Sequence, residues 1–94
     1  MATLLWGLAF GPAATAFLDD MHPGKIRAQI VKKAKALQLA PFPNGAIQLK
    51  GVTTGMGEPV MRVRSGDYRI LYVVRENPGE VLILDIDHRK DVYR

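Results

Sequence analysis

The sequence predicts an α+β domain of order β-α-α-β-β-β, a mainly antiparallel four-stranded sheet with two N-terminal helices packed on one face. Three observations carry this expectation. Apolar residues recur at helical spacing between Pro12 and Leu39, they alternate with polar ones from Val60 onward, and short turn sequences separate the last three alternating runs. The chain has 94 residues. Domains run to roughly 50–200 residues, so residues 1–94 are read as a single domain with a single core.

The elements follow in order. Leu4 to Phe10 is a short apolar strand. Gly11-Pro12 turns it into a helix, because proline at the first helical position has its φ preset and lacks only an N–H that would have no partner there. That helix runs to about Met21, with Ala13, Ala14, Phe17 and Leu18 on one side, and His22-Pro23-Gly24 breaks it. The second helix spans Pro23 to about Leu39, with Ile26, Ile30, Ala34 and Leu37 on one stripe and Val31 beside it, until Pro41 and Pro43 stop it. Pro41 to Pro59, rich in glycine and proline, reads as a long connecting loop in spite of the brief alternation Ala46-Ile47-Gln48-Leu49. Val60–Arg64, Asp67–Arg75 and Val81–Asp87 are the remaining strands. Ser65-Gly66-Asp67 and the Glu76 to Glu80 segment join them as hairpins.

Composition limits the chemistry. The 48% hydrophobic and 23% charged content is that of a globular protein rather than a disordered tail. There is no cysteine, so disulfides, thiolate metal sites and a Cys nucleophile are all excluded. His22 and His88 lie on distant segments without an HxE or DxD cluster, so neither a metal nor any other cofactor is expected. Residues 1–18 carry no charge, but they have no basic flank and Gly11-Pro12 interrupts the apolar run. A membrane span needs about 20 apolar residues, so the segment is read as part of the fold and the protein as cytoplasmic.

Thirteen Lys and Arg face nine Asp and Glu, a net charge of +4 that is unevenly spread. Between residues 21 and 64 eight basic residues (Lys25, Arg27, Lys32, Lys33, Lys35, Lys50, Arg62, Arg64) meet the single acid Glu58, a local +7. An anionic partner follows from such a surface, although a solvated helix face has the same composition.

Strand parity sharpens this. Side chains alternate across a strand, so Met61 and Val63 share one face with Tyr68, Ile70, Tyr72 and Val74, and Arg62 and Arg69 emerge together on the other. Arg89 follows at the end of the last strand. Guanidiniums gathered on one face repel unless an anion joins them, and a phosphate fits their fork geometry. The same periodicity is also met if each arginine merely decorates a solvated face.

The run Arg62-Val63-Arg64-Ser65-Gly66-Asp67-Tyr68-Arg69-Ile70-Leu71-Tyr72, the earlier Leu49-Lys50-Gly51 and the ending His88-Arg89-Lys90-Asp91-Val92-Tyr93 resemble the RelE/ParE superfamily of type II toxin–antitoxin toxins. The resemblance extends over nearly the whole chain, and its ending is more similar to the RelE branch. It implies a ribosome-dependent endoribonuclease that cuts mRNA in the A site, inhibits translation, and is held by a cognate antitoxin in a hetero-oligomer. It further implies catalytic roles for Arg62, Arg69, Arg89 and Tyr93. Where a RelE enzyme often has a catalytic lysine this chain has Val60, so His88 enters as the expected proton carrier, its ordinary pKa near 6.5 suiting the task. A strand-end packing role stands beside that one for His88, and so does sheet packing for Tyr93.

The implied reaction is metal-independent transesterification. The RNA 2′-hydroxyl attacks the adjacent phosphate, leaving a 2′,3′-cyclic phosphate and a free 5′-hydroxyl, with guanidiniums stabilising the crowded phosphorane. Lys25, Arg27, Lys32, Lys33, Lys35, Lys50 and Arg64 would bind RNA or the ribosome. Two other classes remain open from the residues: a ParE-like toxin that inhibits DNA gyrase without cutting, and an inactive basic nucleic-acid-binding module.

Overall fold

A computed structural model describes residues 5–76 and 79–88. β1 (Gly7–Phe10) leads through Gly11 into α1 (Pro12–Asp20), with Pro12 in the first turn, and α2 (Lys25–Ala36) follows after His22-Pro23-Gly24. Four strands complete the order: β2 (Ile47–Thr53), β3 (Pro59–Ser65), β4 (Tyr68–Arg75) and β5 (Glu80–His88). They form one five-stranded sheet in the order β1-β5-β4-β3-β2, parallel where β1 meets β5 and antiparallel elsewhere.

The α+β class and the helix–helix–strand order are those of the expectation, and the sheet gains a strand. β2 lies inside the segment read as a loop. Its alternation is too short to stand out locally, but β3 offers it a partner: Ile47 pairs with Arg62, Gln48 with Met61 and Thr53 with Pro59. The register shifts between Gln48 and Thr53, where Gly51 takes φ +73°, a left-handed value that favours glycine. Almost all of β2 is exposed, as befits an edge strand without a second neighbour. Its low apolar content therefore reflects its position.

The core forms on one face only. Ala14 and Leu18 of α1 and Ile30, Ala34 and Leu37 along and just beyond α2 pack with Val63, Ile70, Tyr72, Val81, Ile83 and Ile86. Ile26, expected on the α2 stripe, is instead 52% exposed, since it sits in the first turn beyond the edge of the core. Leu37, just past α2, is buried, and the next residue ties the helix end to the start of the chain. Trp6 N–H donates to the Gln38 carbonyl at 2.9 Å, and Gln38 Nε2 donates to the Trp6 carbonyl at 3.0 Å.

One irregularity decides which side chains reach the second face. Along β5 the buried residues are Val81, Ile83 and then Ile86. The register passes from Tyr72↔Ile83 to Leu71↔Asp85, leaving Leu84 as the extra residue of a β-bulge. Strict alternation would carry Asp85 and Asp87 into the core behind Val81 and Ile83. The bulge exchanges the parity, so Ile86 stays inside and both aspartates come out, avoiding the cost of burying two carboxylates.

Candidate functional site

The face turned away from the helices carries two cross-strand rows. In one, Ile47, Arg62, Leu71 and Asp85 are successive partners across β2, β3, β4 and β5; in the other, Arg64, Arg69 and Asp87 cross β3, β4 and β5. Arg62 and Arg69 do share this face, as parity predicts. The face also has an apolar component. Val60 and Val73, which have this parity and lie outside the core cluster, are 4% and 0% exposed, and Leu71 and Leu82 are half-buried. Val60 thus belongs to an apolar patch beside the arginines.

Arg69 is tightly held. Its Nε and Nη2 donate to Oδ1 and Oδ2 of Asp87 at 3.0 and 3.2 Å, a two-pronged pair between directly opposed residues. The side chains are 19% and 25% exposed, which makes this more than a fully solvated surface contact. On the other flank Arg69 faces Arg64, a like-charge juxtaposition that costs energy unless compensated, and Asp87 supplies the compensation. Sequence reading missed Asp87. The shift of apolar positions from Val81 and Ile83 to Ile86 was its available signal.

His88 is placed differently from the arginines. It pairs with Tyr68 on the helix side, its ring edge-on to Tyr68 with centroids 4.8 Å apart, and Tyr68 in turn stacks edge-on against Phe17 of α1 at 5.9 Å. The structure therefore does not bring His88 together with Arg62 and Arg69. Arg89 and Tyr93 lie outside the described residues.

The basic residues outside the arginine rows divide into groups. Lys32 and Lys33 of α2 line a cleft with Gln29, Ala36, Arg64, Ser65 and Gly66, so the helix and the β3–β4 turn gather three cations and two polar side chains at one end of the sheet. Gly66 has φ +60°, which lets that turn close in two residues. Arg27 is engaged elsewhere: its Nε donates to the Leu18 carbonyl at 3.0 Å, capping the C-terminal end of α1, where a cation also meets the negative end of the helix dipole. Lys25 lines a separate hollow with Met21, His22, Pro23, Gly24, Ile26 and Arg27. Lys35 and Lys50 are exposed, the latter on edge strand β2.

A second salt bridge, at the far end of the sheet, holds a turn. Arg75 Nε and Nη2 donate to Glu58 Oε2 and Oε1 at 2.6 and 3.0 Å, and Thr54 Oγ1 donates to Glu58 Oε1 at 2.9 Å. These bonds, led by Arg75, hold the Glu58 carboxyl below its ordinary range and raise the Arg75 guanidinium in return. Among the described residues no group of three or more His, Asp or Glu is arranged to hold a metal, and no helix is long and apolar enough to cross a membrane.

Comparison with known proteins places these features in a family. The model of the ParE toxin of the type II toxin–antitoxin system parDE matches residues 8–93. The toxin–antitoxin complex RelBE2 from Mycobacterium tuberculosis contains a similar chain: TM-score 0.72, 26% identity, 94% of this chain and 95% of that one covered. The archaeal RelE–RelB complex from Pyrococcus horikoshii matches with TM-score 0.72 at 22% identity, over 90% of this chain and 96% of that one. A mutant of the E. coli toxin RelE in the free state matches with TM-score 0.62 at 19% identity, over 93% of this chain and 86% of that one. The last two bear on the fold alone. No curated protein matches significantly.

Proposed function

The chain belongs to the RelE/ParE superfamily of type II toxin–antitoxin toxins, and from that premise we propose that it is a ribosome-dependent endoribonuclease that cuts mRNA in the A site. The observation that carries this reading is that Arg62 and Arg69, on adjacent strands β3 and β4, share one sheet face that also has an apolar component. Such a face can receive a phosphodiester through guanidinium donors and a base against the partly exposed Leu71 and Leu82. The Lys32, Lys33 and Arg64 cleft supports it as a place for backbone phosphates of the ribosome or message.

In the reaction, the 2′-hydroxyl gives its proton to solvent water and its oxygen forms a bond to phosphorus as the bond to the 5′-oxygen of the next nucleotide breaks, that oxygen taking a proton from solvent. The products are a 2′,3′-cyclic phosphate and a 5′-hydroxyl. Arg62 and Arg69 bind the non-bridging oxygens and stabilise the added charge of the phosphorane, which is where fixed donors contribute most. Arg89 and Tyr93 complete the set by family resemblance. His88 would take part as proton carrier only by leaving its place against Tyr68, so the reading rests on charge and positioning. The partner is a cognate antitoxin in a hetero-oligomer, as the similar M. tuberculosis chain was solved in a toxin–antitoxin complex.

The test is induced expression followed by primer extension on a translated message. Cuts within codons are expected, together with growth arrest. A second reading, inhibition of DNA gyrase, is favoured by the ParE description of the matching family model. Loss of gyrase supercoiling with the message intact would replace the first reading by that one.

A further inference from the structure

We propose that Asp87 is a positioning residue for Arg69: it orients the guanidinium on the arginine face and cancels its charge until a phosphodiester arrives. The catalytic part of this proposal rests on the nuclease reading above.

A guanidinium presents five N–H donors in one plane. Asp87 engages those on Nε and Nη2 at 3.0 and 3.2 Å, so a single carboxylate fixes both the direction and the plane of the group. An arginine held by one bond could swing about its long stem, whereas two parallel bonds from a strand residue directly opposite leave little freedom. Asp87 reaches this place only because Leu84 is bulged; without the extra residue its side chain would point to the helices.

Charge supplies the second part. Arg64 and Arg69 are directly opposed on neighbouring strands. Asp87, on the other flank of Arg69, offsets their repulsion and keeps Arg69 close to Arg62's face instead of splaying toward solvent. A phosphodiester approaching this face must share Arg69 with a carboxylate already bonded to it. Binding is thereby weakened, while the donors stay where the phosphorane needs them. Asp87 thus trades affinity for geometry, and that trade has a kinetic signature unlike that of deleting a phosphate-binding side chain.

The experiment compares the full-length wild-type chain with Asp87→Asn, Asp87→Glu and Arg69→Ala. Binding is read with a short single-stranded RNA carrying 2′-O-methyl groups, which cannot cyclise, across a range of salt. Cleavage is read on ribosome-bound message, and NMR follows exchange of the Arg69 Nε–H. For Asp87→Asn the expected results are a kcat lower by about 10- to 100-fold, as for a misplaced group, and a KM that falls or holds. The logarithmic salt dependence steepens by up to about 0.7, the increment for one further neutralised phosphate on a single strand. The Nε–H exchanges faster, and Asp87→Glu, which keeps the charge, returns to the wild-type salt dependence. Arg69→Ala also lowers kcat, but differs from Asp87→Asn in raising KM and making the salt dependence shallower.

An unchanged salt dependence in folded Asp87→Asn overturns the proposal, and so does a steeper one with kcat and Nε–H exchange unchanged, which would reduce Asp87 to a charge screen. Thermal melts identify a variant that fails to fold, in which case Asp87→Glu and the wild-type Nε–H exchange carry the decision: a rapidly exchanging wild-type proton overturns it. If the wild-type chain cuts no ribosome-bound message, the nuclease reading falls, while the salt dependence and the Nε–H exchange still decide whether Asp87 sets Arg69.

Discussion

The Tyr72 hydroxyl donates a 2.7 Å hydrogen bond to the Pro41 carbonyl, from a ring with no exposed surface in the middle of β4. This single bond ties the segment after α2 to the sheet. Phenylalanine at Tyr72 keeps the packing and removes the donor, so Tyr72→Phe should cost about 1–3 kcal/mol, the penalty of a buried carbonyl left without its partner. Urea denaturation at neutral pH measures it.

The same phenol sets an alkaline limit. Burial pushes Tyr72 up to about 12 from an ordinary value of 10.0, favouring the neutral form in the folded state. A pKa raised on folding gives stability that is full below the unfolded value and is lost as pH rises through the folded one. Unfolding free energy should therefore fall by roughly 2–3 kcal/mol between about pH 10 and 12, and Tyr72→Phe should lack that part of the decline.

At the other end of the sheet, Glu58 is held below its ordinary value of 4.5, chiefly by Arg75 and then by Thr54. Here the sign reverses. A pKa depressed on folding gives stability that is present above the unfolded value and is lost as pH falls through the folded one. Glu58→Gln should melt earlier at neutral pH and should lose less than the wild type on acidification below pH 4.5. Thermal melts across that range check both outcomes.

Under the nuclease reading, Arg62→Ala and Arg69→Ala should each lower cleavage of ribosome-bound message by about 100-fold or more, the usual loss on removing one donor to a developing oxyanion. Circular dichroism should show the helices unchanged in both. Arg69→Ala should also lower the melting temperature, because it leaves the half-buried Asp87 carboxylate without its two-pronged partner.

The α2 cations should separate by role. Under the same nuclease reading, Lys32→Glu with Lys33→Glu reverses charge at the cleft shared with Arg64, and ribosome affinity should fall with a shallower salt dependence, by roughly 0.7–0.9 for each phosphate no longer neutralised. Arg27→Ala removes the bond to the Leu18 carbonyl, so it should lower the melting temperature more than Lys25→Ala. Filter binding and calorimetry distinguish these outcomes.

Local order was legible in the sequence wherever a period could be read within one element. The Pro12 helix start, the α2 stripe from Ile30 to Leu37 and the two-residue turn at Gly66 follow from side-chain spacing and backbone preference. The shared face of Arg62 and Arg69 follows in the same way, since parity along β3 and β4 is unbroken through the turn between them. The tertiary structure alone decided three matters. β2 became a strand because β3 offered it hydrogen-bonding partners. The Leu84 bulge exchanged the parity of β5 and set Asp87 against Arg69, and the same exchange carried His88 across the sheet to Tyr68. Strand pairing and register are long-range choices in all three; in β5 the choice is settled by which arrangement buries Ile86 and keeps two aspartates out of the core.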